Sequence, residues 1–269
     1  MADTISRLDV LDRDAAPRTG GQRESDRSPE RALRLIVTGC GRSGTTSLSH
    51  VLNAAGLRCG HEHVFHASGP RQARGYDADS SWHAAPFLDT QPEDVRIIHL
   101  VRNPVRVVES FVRIGLCAID PWHHFTFGRP FVYLALRYNV RWYWYRRRWQ
   151  YVMAQRRVLA EHTTCMGKGK EVDRLWAYWW QWNSLVERGA ASGRRPYLRV
   201  RLEDLDDSLP RIREFLDLPG ELRSSGITNR KRGYRMRAVE WTPMPAEVRS
   251  LAQRYGYDES ELEVHDERS

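Results

Sequence analysis

Arg42 lies inside Gly39-Cys40-Gly41-Arg42-Ser43-Gly44-Thr45-Thr46, and twenty positions later comes Glu62, flanked by His61 and His63. A Gly-rich turn that opens a helix points backbone N–H groups and the positive end of the helix dipole at one bound phosphate. Gly41, Ser43, Gly44, Thr45 and Thr46 would form that cradle, and Arg42 would supply the cation. Gly39 and Gly44 have Walker-loop spacing, but Thr45-Thr46 stands where that loop carries Lys-Ser/Thr. An ATPase or kinase needs that Lys on its β- and γ-phosphates and the hydroxyl on Mg²⁺. The loop therefore suits a single phosphate beside a reacting group, with Arg42 directed at the bond that breaks. A carboxylate at Glu62 can take a proton from a hydroxyl acceptor, and His61 or His63 has the chemistry for the same task. The spacing of His61, Glu62, His63 and His66 matches no common metal site, so no metal is expected.

The elements needed to position these groups can be read around them. Leu33–Thr38 is a short apolar run that predicts a strand, and Leu48, Val51, Leu52 and Ala55 fall at helical spacing up to Gly56. A second strand ending near Gly60 puts Glu62 at the carboxyl edge of the sheet, where open α/β sheets collect ligand chemistry. Asp79–Leu88 reads as a loop turning into a short helix. Trp82 within it either lines an acceptor pocket or is simply packed. Val95–Val101 is apolar enough for the middle of a parallel sheet. It leads into Arg102-Asn103-Pro104, with Asn103 as helix cap and Pro104 in the first turn. Arg102 at the strand end and Ser110 two turns into that helix can meet at a second anion.

Gly41–Thr46 followed by Arg102-Asn103-Pro104 and Ser110 resembles the sulfotransferases that use 3′-phosphoadenosine 5′-phosphosulfate (PAPS). The resemblance covers most of residues 32–113 and 171–241. It implies an α/β fold of three layers, a central parallel sheet flanked by helices, of the P-loop nucleotide-binding type. It also implies that the first motif holds the 5′-phosphosulfate, that Arg102 and Ser110 hold the 3′-phosphate, and that adenosine 3′,5′-bisphosphate is the product. Glu62 is similar to the catalytic Glu of some family members, although His61 is an extra residue between Gly60 and Glu62. The base is therefore either His61 or Glu62. Pro196–Leu205 resembles the family strand that ends in an acidic turn. Arg230-Lys231-Arg232-Gly233, followed by Trp241, resembles the basic loop that closes over the 3′-phosphate, with a general polyanion patch as the competing reading. The acceptor would carry a hydroxyl on a saccharide, a glycolipid or another natural product, with His63 and Trp82 on its side of the site.

Composition sets the outer limits. A chain of 269 residues with net charge +8 favours anionic ligands, and only Lys168, Lys170 and Lys231 among its 42 basic residues are lysines. Arginine is the better bidentate partner for phosphate and sulfate. The four cysteines show neither CxxC pairs nor a disulfide framework, no apolar leader opens the chain, and no run is long enough to span a bilayer. The expectation is a soluble cytoplasmic enzyme with a disordered tail over residues 1–30 and one domain over 31–269. Residues 115–182 form an aromatic, basic acceptor-side insertion, either packed as core or forming a lid, and compatible with peripheral membrane contact. Two other classes compete. One is an ATP/Mg²⁺-dependent P-loop phosphotransferase; the other is a non-catalytic polyanion-binding protein, although no nucleic-acid module is recognisable.

Overall fold

A computed structural model describes residues 33–73, 75–115, 117, 142–223 (backbone alone for 142–149) and 239–263. The expected tail over 1–30 and the Arg230–Gly233 run lie outside the described residues. Five short strands make the main sheet: β1 (Leu35–Gly39), β2 (Cys59–His61), β5 (Ala78–Ser80), β6 (Arg96–Val101) and β7 (Tyr197–Arg201). All pair in parallel in the order β2-β5-β1-β6-β7. A small antiparallel pair, β3 (Phe65–His66) and β4 (Gly69–Pro70), stands apart from it.

The two-residue side-chain period of the strands sorts the core into two layers. Leu35, Val37, Ile98 and Leu100 face α1 (Thr45–Ala54) and α5 (Leu205–Phe215), through Leu48, Val51, Leu52, Leu209 and Ile212. Ile36, Ile97 and Val101 face the other way. There they meet α2 (Pro104–Ile114), α4 (Glu171–Ala191) and α6 (Ala246–Arg254), and Trp176, Trp179 and Trp182 of α4 are fully buried. The architecture is a three-layer α/β fold around a parallel sheet. Two further helices complete the described chain, α3 (Trp142–His162) and α7 (Glu259–Leu262). No helix among the described residues is long and apolar enough to cross a membrane.

One element departs from the pattern reading. Asp79–Leu88 is not a loop leading into a helix throughout, because Ala78–Ser80 is a strand inserted between β2 and β1, followed by a 3₁₀ helix over Trp82–Phe87. Its sequence is polar, yet Asp79 and Ser80 are fully buried. Asp79 accepts the amides of His63 at 3.1 Å and Phe65 at 2.9 Å, and Ser80 Oγ donates to the Thr45 carbonyl at 2.7 Å. The strand is short and polar because its side chains hold the two loops on either side.

Helix α5 opens at Leu205, directly after the acidic turn that follows β7, and α4 runs on to Ala191. Asn103 caps α2 as its sequence predicts, accepting from the Val105 amide at 2.9 Å, with Pro104 in the first turn. Within α3, Val152 and Leu159 are buried as core residues.

Candidate active site

In an open α/β sheet, ligands gather at the carboxyl ends of strands where successive connections leave in opposite directions. Here the chain leaves β1 towards β2 on one side and leaves β6 towards β7 on the other. The loops after β1 and β6 therefore border one crevice. Gly39 allows this close approach, because a Cβ there would lie 2.0 Å from the Leu100 carbonyl oxygen. Gly44 turns the chain into α1 at φ 95°, a left-handed conformation that costs most residues energy. No side chain caps α1, and among the described residues nothing accepts from the Thr45 and Thr46 amides. Those amides are donors in place for an anion.

The second motif meets the first across this crevice. Arg42, itself left-handed at φ 73°, donates from Nε to Ser110 Oγ at 2.8 Å. Arg102 donates from Nη1 to the Arg42 carbonyl at 3.0 Å. Burial pushes the pKa of the Arg102 guanidinium down while nearby Glu203 pulls it up. Glu203 also accepts the Asn103 amide at 3.0 Å and the Tyr257 hydroxyl at 2.8 Å, so the acidic turn after β7 braces the corner that carries Arg102. The Gly41 amide is taken by the Tyr178 hydroxyl at 2.6 Å, which ties the loop to α4. Ser43 is fully buried and its Oγ, beside Gly39, has no hydrogen-bond partner among the described residues.

The carboxylate stands on the other flank, at the ends of β2 and β5. Glu62 has a left-handed backbone at φ 58°, and its amide donates to the Ser80 carbonyl at 3.3 Å. Non-glycine residues held this way often mark functional turns. The Glu62 side chain accepts from the Tyr151 hydroxyl of α3. Burial raises its carboxyl above the usual carboxylate range, and the Tyr151 hydroxyl, with Trp82 nearby, lowers it part of the way back. His83 Nε2 lies 4.0 Å from Glu62 Oε2, beyond hydrogen-bond reach, and burial pushes the His83 pKa down to about 3. His83 is therefore a neutral neighbour and not an ion-pair partner.

The three histidines and the glutamate of the 61–66 stretch point to different partners. His61 Nε2 bonds Thr46 Oγ1 at 2.9 Å and approaches Thr45 Oγ1 at 3.4 Å, and burial lowers its pKa. His63 is exposed and pairs with the Tyr76 hydroxyl at 2.9 Å, while His66 pairs with Ser68 Oγ at 2.9 Å. Trp82 is 5 % exposed and packs against Trp182 at 5.1 Å between ring centres. It lines the carboxylate from the core side and does not form an open acceptor wall.

The crevice thus gathers Gly41–Thr46, Arg102 and Ser110, with Glu62 and His61 beside them. His63 sits at the outer rim. Tyr151, Tyr178, Ser80 and His83 join the site without a local motif to announce them, and Glu203 joins them from the acidic turn. Tyr151 lies 89 positions from Glu62, and Tyr178 lies 137 from Gly41. The one available signal was the position of Glu203 in the acidic turn after β7. Chemically, the arrangement offers helix-end amides, two guanidinium groups and hydroxyls for a polyanion, next to a desolvated carboxylate. No protein-family model matches this chain, and no curated protein matches its sequence.

Proposed function

We propose that this chain is a PAPS-dependent sulfotransferase of the P-loop type, acting on an acceptor hydroxyl. The observation that carries the reading is that two anion motifs 60 to 68 positions apart meet around one residue, Arg42, bonded to both Ser110 and Arg102. A nucleotide with phosphates at both its 5′ and 3′ positions needs two such sets side by side. A nucleotide triphosphate held along one loop does not.

In this mechanism the Thr45 and Thr46 amides and hydroxyls hold the 5′-phosphate, while the Gly41 and Ser43 amides, bonded to the Tyr178 hydroxyl and the Cys40 carbonyl, shape the loop, and Arg102 and Ser110 hold the 3′-phosphate. The acceptor oxygen attacks sulfur in line, forming the new O–S bond as the S–O bond to the 5′-phosphate breaks. Glu62 takes the acceptor proton, and Arg42 stabilises the charge gathering on the departing oxygen. The products are the sulfated acceptor and adenosine 3′,5′-bisphosphate. A carboxylate raised by burial is the stronger base once ionised, which suits proton abstraction from a hydroxyl.

Calorimetric titration of the purified chain with adenosine 3′,5′-bisphosphate, AMP and ATP tests the donor assignment directly. Metal-free binding that depends on the 3′-phosphate is the expected result. Binding of ATP only with Mg²⁺ would replace the reading with a phosphotransferase. Absence of nucleotide binding, with steeply salt-dependent binding of heparin, would leave a polyanion-binding protein.

A further inference from the structure

Helix α3 belongs to the stretch whose sequence reads either as core packing or as an acceptor-side lid. Among the described residues it touches the site through Tyr151. Tyr151 donates its hydroxyl proton to Glu62 Oε2, and its ring lies 5.4 Å from that of His66. Val152, the next residue, and Leu159, about two turns on, bury an adjacent side of the helix in the core. The helix is thus anchored by its apolar side while one hydroxyl is delivered to the carboxylate.

We infer that Tyr151 is a positioning residue for the base: its hydroxyl fixes one oxygen of Glu62 and makes α3 a working part of the active site. The inference rests on the proposed role of Glu62, and it adds a residue and a helix that the two anion motifs do not supply. The physical need is plain. Glu62 projects from a left-handed turn, where neither strand nor helix geometry fixes its side chain. Among the described residues its other neighbours include Trp82 of the 3₁₀ helix, neutral His83 at 4.0 Å from the same element, and His61, which is turned to Thr46. None of these carries a full positive charge towards the carboxylate. The Tyr151 hydroxyl is therefore a principal stabiliser of its ionised form.

The test replaces only that hydroxyl. Tyr151→Phe keeps the ring against His66 and removes the donor. The carboxyl of Glu62 is then titrated by ¹³C NMR in glutamate-labelled protein, with Glu62→Gln identifying the signal. The loss of a hydrogen bond to a charged group predicts a midpoint raised by about one pH unit. An unmoved or lowered midpoint would overturn the inference. Placing 3-fluorotyrosine at position 151 gives a more acidic donor and an opposite expectation, a lowered midpoint. Here too no movement would overturn the inference, and this arm holds even where Tyr151→Phe fails to fold. The titration uses the unliganded chain and needs neither donor nor acceptor. A failed nucleotide titration therefore leaves this measurement readable, and an unmoved midpoint leaves nucleotide binding intact. Where turnover is measured, the acid limb of kcat moves with the midpoint, which a purely structural role for Tyr151 would not produce.

Discussion

Replacing Arg102 by Ala separates the two phosphates of the proposed donor, and the structure gives the size of each contribution. Arg102 has two possible tasks. It donates to the Arg42 carbonyl at 3.0 Å, which steadies the loop for every ligand that loop binds. In the proposed complex it also meets the 3′-phosphate, which only some ligands possess. A hydrogen bond that involves a charged group contributes roughly 1.5–3 kcal/mol. The first loss would weaken AMP and adenosine 3′,5′-bisphosphate alike. The second falls on the bisphosphate alone, and corresponds to about a 10- to 150-fold additional drop in its affinity.

The corner itself should survive the change. Glu203, which faces Arg102, keeps the Asn103 amide and the Tyr257 hydroxyl as partners, and Asn103 still caps α2. A thermal melt of Arg102→Ala checks this before the affinities are compared. The assay is calorimetry with both ligands on both proteins, and the quantity that matters is the ratio of the two affinity losses. A ratio near one would mean that Arg102 acts only through the loop, and the 3′-phosphate assignment would be wrong.

Other expectations follow from the carboxylate flank. Glu62→Gln should cut turnover by roughly 10²–10⁴-fold while leaving bisphosphate affinity nearly unchanged, measured by product formation and calorimetry. The same variant has a signature in stability. Burial raises the folded pKa of Glu62, so its stabilising contribution is present below its unfolded pKa and is lost as pH rises through the folded one. Glu62→Gln should therefore melt higher than the native chain at pH 8 and close to it at pH 4, and an equal difference at both would refute a desolvated carboxyl. His61→Gln, which keeps a donor for Thr46, should retain much more turnover than Glu62→Gln, and the reverse order in a side-by-side rate assay would move the base to His61.

Much of the sheet and of the donor flank is legible in the sequence because the signals are local. The apolar run before Gly39, the helical spacing after Thr45 and the Asn103-Pro104 cap each lie within a few residues of what they specify. Strand β5 was not legible, since Ala78-Asp79-Ser80 carries two polar side chains that are buried only because loops 62–65 and 41–46 supply their partners. Trp82 could not be assigned from its neighbours in sequence, because the ring it packs on, Trp182, lies one hundred positions away. Tyr151 and Tyr178 fail the same test. A hydroxyl on an aromatic face of a helix looks like core until its distant partner is known, and here those partners are the Glu62 carboxylate, which accepts from Tyr151, and the Gly41 amide, which donates to Tyr178.

The contact between His61 and the loop bears on which of the two candidates is the base. A hydroxyl has one proton to donate and lone pairs to accept. In the unliganded chain the Thr46 hydroxyl can give its proton to His61 Nε2, or accept one from it, across the 2.9 Å between them. Once Thr46 donates to a bound 5′-phosphate, as the proposed complex requires, only the second option remains. His61 must then carry its proton on Nε2 and point it at the loop. A neutral imidazole with a protonated Nε2 has its only free lone pair on Nδ1, and burial disfavours a second proton there because it lowers the His61 pKa. The nitrogen nearest the reacting phosphosulfate is thus a donor when the donor nucleotide is bound. Glu62, one residue on and turned the other way by its left-handed backbone, keeps an acceptor at that moment. In this arrangement His61 serves the phosphate and Glu62 serves the acceptor. The extra histidine between Gly60 and Glu62 then extends the phosphate cradle without displacing the base.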